Sequence, residues 1–145
     1  RDGPTWNTPT GKASMHVHRF PERAIPDDRF VLMTVRSHDQ YNTTVYGMDD
    51  RYRGVYNARR IVMMNPEDME KLGVKSTESI DLTSHFGDRT IESLEWKVVP
   101  YDIPKGNLAA YFPEANVLIP LESVAKGSNT PTSKWVEVSV ALRKH

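Results

Sequence analysis

The sequence predicts a mainly β domain in which short strands close into a barrel. Three observations indicate this fold class: about six or seven short segments have strand composition or alternation, the two or three helical segments are very short, and long polar connections separate them. Parallel layered sheets need connections that usually contain a full helix, whereas short strands with long irregular connections are typical of barrels. We therefore expect a mainly β barrel with a few short helices.

Composition narrows the classes of function. The chain has 145 residues, 19 basic and 19 acidic side chains, and no cysteine. This length is enough for one domain, the balanced charge argues against nucleic acid as a partner, and the lack of cysteine excludes disulfides and thiolate metal ligands in this chain. No apolar run approaches the roughly 20 residues of a membrane span and no signal peptide is visible, so we expect no membrane partner and a cytoplasmic location. The absence of an initial Met indicates a piece of a longer polypeptide.

Residues 1–28 are predicted as an extended lead-in segment with a first strand, and residues 29–145 as the barrel domain. Residues 1–12 are polar and rich in Pro, Thr and Gly, and residues 13–18 alternate as a strand. Residues 19–28 contain two prolines, which end that strand.

The barrel begins with the apolar run Phe30–Val35, which is too short for a typical helix and predicts a central buried strand. Residues 37–60 form a long polar loop, and loops of this length inside compact domains are usually functional or disordered. Its many aromatic residues argue against disorder. The run Ile61–Met64 predicts another strand, and a short helix follows, with Asn65 at its N-cap, Pro66 in its first turn and Gly73 as a left-handed stop.

The second half predicts further short elements. Residues 79–83 and 89–99 have strand patterns around a turn at residues 85–88, and residues 134–142 alternate with apolar residues on one face. Between them, residues 108–111 predict one helical turn, residues 117–119 a short strand, and residues 126–133 a second loop.

Polar residues that suit a nucleotide-like ligand follow the first barrel strand. They are Arg36, His38, Gln40, Asn42 and Thr43. An arginine offers a planar donor fork for phosphate oxygens, and Gln, Asn and Thr both donate and accept hydrogen bonds. The open alternative is a solvated polar loop held by its own turns.

Two other segments carry weaker signals. Asn116 lies beside an apolar segment, and Ser133 and Lys134 lie where a loop becomes a strand, which is a rigid position for a point charge. Residues 46–54 interleave arginine with aromatic residues, as RNA-binding surfaces do, but two aspartates balance the arginines and favour internal ion pairs or a contact with a larger protein.

The sequence contains no convincing catalytic or metal-binding set. Its five histidines lack the spacing of a metal site, and no glycine-rich phosphate motif, nucleophile elbow or carboxylate pair is present. We expect no catalytic residue and no protein metal site in this chain.

Taken in order, these segments resemble the C-terminal molybdopterin-dinucleotide-binding domain of dimethyl-sulfoxide-reductase-superfamily molybdenum oxidoreductases, especially formate-dehydrogenase-like alpha subunits. The resemblance covers nearly the whole chain, and the order and spacing of its motifs are fairly specific. The segments that carry it are residues 8–13 (TPTGKA), 31–44 (VLMTVRSHDQYNTT), 63–68 (MMNPED) with 72–73 (LG), 111–120 (YFPEANVLIP) and 130–134 (TPTSK).

The resemblance implies a double-psi β-barrel that binds molybdopterin guanine dinucleotide, two copies of which normally hold one molybdenum or tungsten atom. It implies that the five polar residues after the first strand line the pterin and phosphate side, that Asn116 approaches from the next loop, and that Ser133 and Lys134 close over the pterin. The metal's protein ligand, the catalytic residues and any iron–sulfur cluster would belong to the remaining domains of the same large subunit.

Two other functions fit a barrel of this kind. One is a protein-recognition module of a larger ATPase-type protein, which would use residues 49–53 to contact a partner. The other is a self-processing decarboxylase, which would need a scissile pair such as Gly127-Ser128.

Overall fold

The computed structural model describes residues 3, 5–20, 22, 24–40 and 46–143. In this part of the chain six strands form a closed barrel in the order β1-β5-β2-β4-β3-β6, with β6 pairing back to β1. The strands are β1 (Phe30–Val35), β2 (Ile61–Met64), β3 (Ser79–Phe86), β4 (Arg89–Pro100), β5 (Asn107–Tyr111) and β6 (Val136–Leu142). One helix, α1 (Pro66–Leu72), and two 3-10 helices, Arg51–Arg53 and Glu114–Leu118, complete the described elements. The predicted mainly β barrel is confirmed, and its architecture is consistent with a double-psi barrel.

Strand directions determine which loops meet. β1 runs parallel to β5, with Val35 opposite Tyr111 at the end of the pairing, and antiparallel to β6, with Leu32 opposite Val136. The carboxyl ends of β1 and β5 and the amino end of β6 therefore lie together at one end of the barrel. The segments that follow β1 and β5 and the segment that precedes β6 emerge there side by side.

The barrel interior is filled by apolar side chains that are removed from water. Leu32, Leu82, Trp96 and Leu108 are each 0% exposed. Burial of one such side chain contributes about 1.5–3 kcal/mol, so the interior is the main source of the barrel's stability. In β3 buried residues alternate with partly exposed ones, as expected for a strand with one face in the core.

A second apolar cluster lies under the long loop between β1 and β2. It contains Val55 from the loop, Ile61 and Met63 from β2, and Tyr111 from the end of β5. Because this loop covers the outer face of β2, all four residues of that strand are buried. The cluster anchors the loop beside the barrel end at which the three segments meet.

The helix α1 has the predicted boundaries. Asn65 Oδ1 accepts a hydrogen bond from the Glu67 backbone N–H at 2.8 Å, and Pro66 begins the helix. Gly73 ends it with a φ of 70°, a left-handed conformation that favours glycine.

The strand predicted at residues 13–18 is not formed. The segment lies in no named strand, and Met15 and Val17 are 98% and 100% exposed. Alternation defines two faces, but a strand also needs a neighbour to receive its backbone hydrogen bonds.

Two short assignments near the end of the barrel were wrong. Residues 108–111, predicted as a helical turn, belong to β5, because pairing with both β1 and β2 outweighs the helical preference of Leu and Ala. Residues 117–119, predicted as a strand, overlap the 3-10 helix Glu114–Leu118. Ala115 and Leu118 are its buried residues, which matches the three residues per turn of a 3-10 helix.

No helix in the described residues is long and apolar enough to cross a membrane.

Candidate functional site

Three segments meet at the barrel end defined by Val35 and Tyr111. Hydrogen bonds join them directly: the Phe112 N–H donates to the Val35 carbonyl at 2.8 Å, and the Thr34 N–H donates to the Ser133 carbonyl at 2.9 Å. We call this region the loop cleft and define it as residues 36–40, 112–116 and 130–134. Segments that are far apart in sequence, such as residues 36–40 and 130–134, are adjacent here because β1 lies between β5 and β6.

A cavity of about 360 Å³ opens between two segments of the loop cleft, residues 112–116 and 130–134, and the adjoining residues 119–121. Its size is near the lower end of small-molecule pockets, and its mostly apolar wall with a few polar groups is typical of them. Two predicted cofactor-binding residues, Asn116 and Ser133, are part of the wall. The lining residues are Phe112, Asn116, Ile119, Pro120, Leu121, Thr130, Pro131 and Ser133.

Two predicted cations lie at the cleft. The exposed guanidinium of Arg36 lies over the ring of Phe112, 5.4 Å from its centroid, and Phe112 is itself a wall of the cavity. Lys134 Nζ donates a hydrogen bond to the backbone carbonyl of Thr34, and this bond holds the ammonium group of Lys134 near the end of β1. The structure therefore brings Arg36, Asn116, Ser133 and Lys134 to the same end of the barrel.

His38 contacts residues of the loop between β1 and β2 rather than the cavity. Its ring lies against Tyr52, with centroids 3.8 Å apart, and its backbone N–H donates to Asp50 Oδ2 at 3.1 Å. The side chain is exposed, and it does not line the cavity of the loop cleft.

Gln40 is buried, with 2% of its surface exposed. Its Oε1 accepts hydrogen bonds from Arg59 Nη2 at 3.0 Å and from Ser37 Oγ at 3.4 Å. Its Nε2 is buried and has no hydrogen-bond partner among the residues that the structure describes. Asn42 and Thr43, also predicted to bind the cofactor, lie outside the described residues.

Arg59 connects the first two segments of the cleft and was not singled out from the sequence. Its guanidinium is 5% exposed and forms a two-bond ion pair with Glu114, from Nε to Oε1 at 2.8 Å and from Nη2 to Oε2 at 3.2 Å. It also donates to Ser37 Oγ at 2.8 Å and to the Phe112 carbonyl at 3.0 Å. One side chain thus contacts both the segment after β1 and the segment after β5.

Aromatic rings complete the surroundings of this guanidinium. Its Cζ lies 3.8 Å from the ring centroid of Tyr46 and 4.9 Å from that of Tyr111. The sequence signal that would have found Arg59 is its place two residues before a fully apolar strand, since a charge so close to a buried strand must find partners.

A buried carboxylate holds the long loop against the barrel end. Asp50 is 1% exposed, and its Oδ2 accepts hydrogen bonds from Arg53 Nη1 at 2.5 Å, from Tyr111 Oη at 2.8 Å and from the His38 N–H. Burial by itself raises the pKa of Asp50, but the hydrogen bonds from Arg53, Tyr111 and His38 outweigh it and hold the pKa below its ordinary value. The internal ion pair expected within residues 46–54 is therefore confirmed for Asp50 and Arg53.

The pKa of Tyr111, which contacts Asp50, is shifted upward. Burial and the neighbouring Asp50 carboxylate raise the pKa of the Tyr111 hydroxyl well above its ordinary value. Tyr111 therefore remains a neutral hydrogen-bond donor at physiological pH.

Comparison with known proteins identifies a family. Residues 30–137 match the family described as Molydopterin dinucleotide binding domain. An uncharacterized oxidoreductase of Mycobacterium tuberculosis (strain ATCC 25618 / H37Rv) is 46% identical over 143 residues, which are 95% of this chain and 18% of that protein. Protein YdeP of Escherichia coli (strain K12) is 38% identical over 144 residues, which are 93% of this chain and 19% of that protein.

A solved structure is also similar. Acetylene hydratase from Pelobacter acetylenicus superposes with a TM-score of 0.49 and 10% sequence identity, over 79% of this chain and 18% of that chain. The chain spans about a fifth of the length of the curated relatives that it matches.

Proposed function

We propose that the loop cleft holds molybdopterin guanine dinucleotide, because this chain belongs to the Molydopterin dinucleotide binding domain family. The observation that carries the proposal is the meeting of Arg36, Asn116, Ser133 and Lys134 at one barrel end beside a cavity. These residues come from three separate segments, and only the strand pairing of the barrel brings them together.

The residues present fit the parts of such a cofactor. A dinucleotide has planar heterocycles joined by a negatively charged diphosphate, so it needs flat apolar walls and nearby cations. Phe112 and the prolines of the cavity supply such walls, and Arg36 and Lys134 supply the cations. Asn116 and Ser133 offer polar groups to the edge of a heterocycle.

His38, Gln40, Asn42 and Thr43 remain predicted cofactor contacts. Gln40 Nε2, which has no hydrogen-bond partner among the described residues, is a donor that a cofactor oxygen or another residue can satisfy. The Oε1 atom of the same amide already accepts a hydrogen bond from Arg59.

The role of this domain is to bind and orient the cofactor. When bound, the cofactor would supply the molybdenum or tungsten centre at which the redox chemistry takes place. Arg36 and Lys134 would place positive charge next to its phosphates, and the apolar wall of the cavity would cover part of its surface.

We further propose that the domain is part of a molybdenum-dependent oxidoreductase and that the same large subunit contains further domains. The M. tuberculosis relative is named an oxidoreductase and is about five times as long as the matched region. Met15, Val17 and Phe20 are 98%, 100% and 95% exposed, and such apolar exposure on an extended segment suits a contact with the remainder of a large subunit. A formate-dehydrogenase-like reaction, a cytoplasmic location and a domain boundary between residues 28 and 29 belong to the same proposal. The alternative of a protein-recognition module in an ATPase-type protein has no support in the comparisons.

The test uses the full-length polypeptide that contains this chain, purified after expression with molybdate. Molybdenum and tungsten are measured by mass spectrometry, the pterin by fluorescence after oxidative release, and the guanine nucleotide by chromatography after hydrolysis. Combined Arg36→Gln and Lys134→Met substitutions should reduce the retained dinucleotide, since each removes one cation from the cleft while keeping much of the side-chain volume.

The matched control is Lys105→Met. Lys105 is an exposed cation that precedes β5 and pairs with Glu67, so it lies at the opposite end of the barrel. Wild-type protein that contains no dinucleotide, or a double variant that retains as much as the control, would contradict the proposal.

A further inference from the structure

We propose that Arg59 and Glu114 form a positioning pair that sets the loop cleft in its binding geometry and thereby controls retention of the dinucleotide. This inference rests on the proposed function of the cleft. Neither residue lines the cavity, so both would act through the residues that they hold.

The first argument is the placement of the pair between the two segments. Ser37 and Gln40, which Arg59 contacts, flank the segment that presents His38 and follows Arg36. The Phe112 carbonyl, which Arg59 also contacts, belongs to the residue whose ring supports the Arg36 guanidinium. Glu114 begins the 3-10 helix that carries Asn116. A displacement of Arg59 would therefore move Arg36 and Asn116 relative to each other.

The second argument is the chemistry of the guanidinium. Its donors are fixed in one plane, so simultaneous bonds to a carboxylate, a backbone carbonyl and two side-chain oxygens determine its position and orientation. The rings of Tyr46 and Tyr111 lie against it and restrict it further. Lysine carries the same charge but has no planar fork, and it cannot reproduce this set of directions.

The third argument is energetic. Removing two charges from water is costly, and a buried ion pair often stabilises a fold no more than apolar residues of the same volume would. The Arg59 side chain is 5% exposed and the Glu114 side chain 19% exposed, so we expect the pair to add little to the stability of the fold compared with apolar packing. A pair that fixes the geometry of two ligand-binding segments has a use that apolar packing does not provide.

The neighbouring arginine provides a matched control. Arg60 Nε donates to the Leu94 carbonyl at 2.8 Å, Arg60 Nη2 donates to Ser93 Oγ at 2.8 Å, and the guanidinium lies 5.0 Å from the centroid of the Trp96 ring. Like Arg59, Arg60 donates to a backbone carbonyl and a hydroxyl beside an aromatic ring, but it is exposed, and all of these partners belong to β4 and none to the loop cleft.

The experiment compares Arg59→Lys, Glu114→Gln and Arg60→Lys in the full-length polypeptide. Dissociation of the pterin dinucleotide is followed by fluorescence after rapid dilution, and the thermal midpoint of each cofactor-free protein is recorded. Substitution of residues that orient metal ligands typically weakens metal binding by roughly 10- to 100-fold, and we expect dissociation of the dinucleotide from Arg59→Lys and Glu114→Gln to accelerate by a similar factor. Arg60→Lys should dissociate at the wild-type rate.

Hydrogen exchange in the cofactor-free proteins supplies a readout that does not depend on the cofactor. The amides of Gln40 and Asn116 form turn hydrogen bonds to the Ser37 and Pro113 carbonyls. Both should exchange faster in Arg59→Lys and Glu114→Gln than in wild type, and at the wild-type rate in Arg60→Lys.

The outcomes separate the two proposals. Wild-type protein without any dinucleotide overturns the proposed function. Wild-type protein that retains the dinucleotide, with Arg59→Lys dissociating no faster than Arg60→Lys, overturns the positioning pair alone. The positioning pair is also overturned if dissociation accelerates in all three variants in proportion to the decrease in their thermal midpoints. The acceleration would then result from a general loss of stability. If Arg59→Lys does not fold, Glu114→Gln decides, since it keeps the side-chain volume and removes only the charge.

Discussion

The hydrogen bond between Tyr111 and Asp50 should stabilise the fold to an extent that depends on pH. Tyr111→Phe removes the hydroxyl that donates to Asp50 Oδ2 at 2.8 Å and leaves the carboxylate with Arg53 and the His38 N–H. A hydrogen bond to a charged group contributes about 1.5–3 kcal/mol. Tyr111 is 1% exposed, so water cannot readily replace the lost donor, but two donors remain on the carboxylate. We therefore expect a loss of about 2 kcal/mol in the free energy of unfolding at pH 7.

The sign of the pH dependence follows from the raised pKa of Tyr111. The stabilisation is fully present below the ordinary tyrosine pKa of 10.0 and declines as the pH rises above it, because the unfolded chain then loses a proton that the folded protein keeps. The difference between wild type and Tyr111→Phe should consequently shrink above pH 10.

Urea unfolding of the 145-residue chain at a series of pH values measures this difference. Tyr56→Phe is the control, since the Tyr56 side chain is 62% exposed and its substitution should change stability by no more than about 0.5 kcal/mol. A Tyr111→Phe effect as small as that of the control, or one that stays constant from pH 8 to beyond pH 10, would refute the reasoning.

Two further predictions concern the acid range and the core. Because the pKa of Asp50 is lowered in the folded protein, its contribution is present above its ordinary pKa of 3.8 and is lost as the pH falls below that value. In urea titrations the destabilisation caused by Asp50→Asn should thus be largest near neutral pH and shrink in strong acid, and an effect that grows in acid would contradict the assignment. Leu82→Ala should lower the unfolding free energy by about 2–5 kcal/mol because Leu82 is 0% exposed, whereas Leu121→Ala, at 93% exposure, should change it by no more than about 0.5 kcal/mol. Equal effects of the two leucine substitutions on the urea midpoint would show that the barrel interior is not the main core.

Local sequence determined the elements whose stabilising contacts lie within one turn or one strand. The helix α1 could be predicted with its boundaries, because the N-cap bond of Asn65 and the left-handed Gly73 act within a few residues. The apolar runs of β1 and β2 identified both strands, since their composition suits burial and their length is too short for a typical helix. The ordered motifs also identified the family, which the match to residues 30–137 confirms.

Elements that depend on a distant neighbour could not be assigned from local pattern. Residues 13–18 alternate but pair with no strand in the described part of the chain, and β5 has a helical composition but lies between β1 and β2. In both cases the hydrogen-bond partners of the backbone decide the structure, and those partners are far away in sequence.

The candidate site likewise combines residues that local sequence indicated with an arrangement that only distant contacts produce. Residue type alone indicated that Arg36 suits a nucleotide-like ligand, and the family resemblance implied the same for Asn116 and Lys134. Only the parallel pairing of β1 with β5 and the antiparallel pairing with β6 places the three residues at one barrel end. The partners of Arg59 in the loop cleft lie 19 to 55 residues away in sequence. The tertiary structure therefore decided which charge is buried and which loops it joins, because a buried guanidinium is stable only where folding brings several distant acceptors around it.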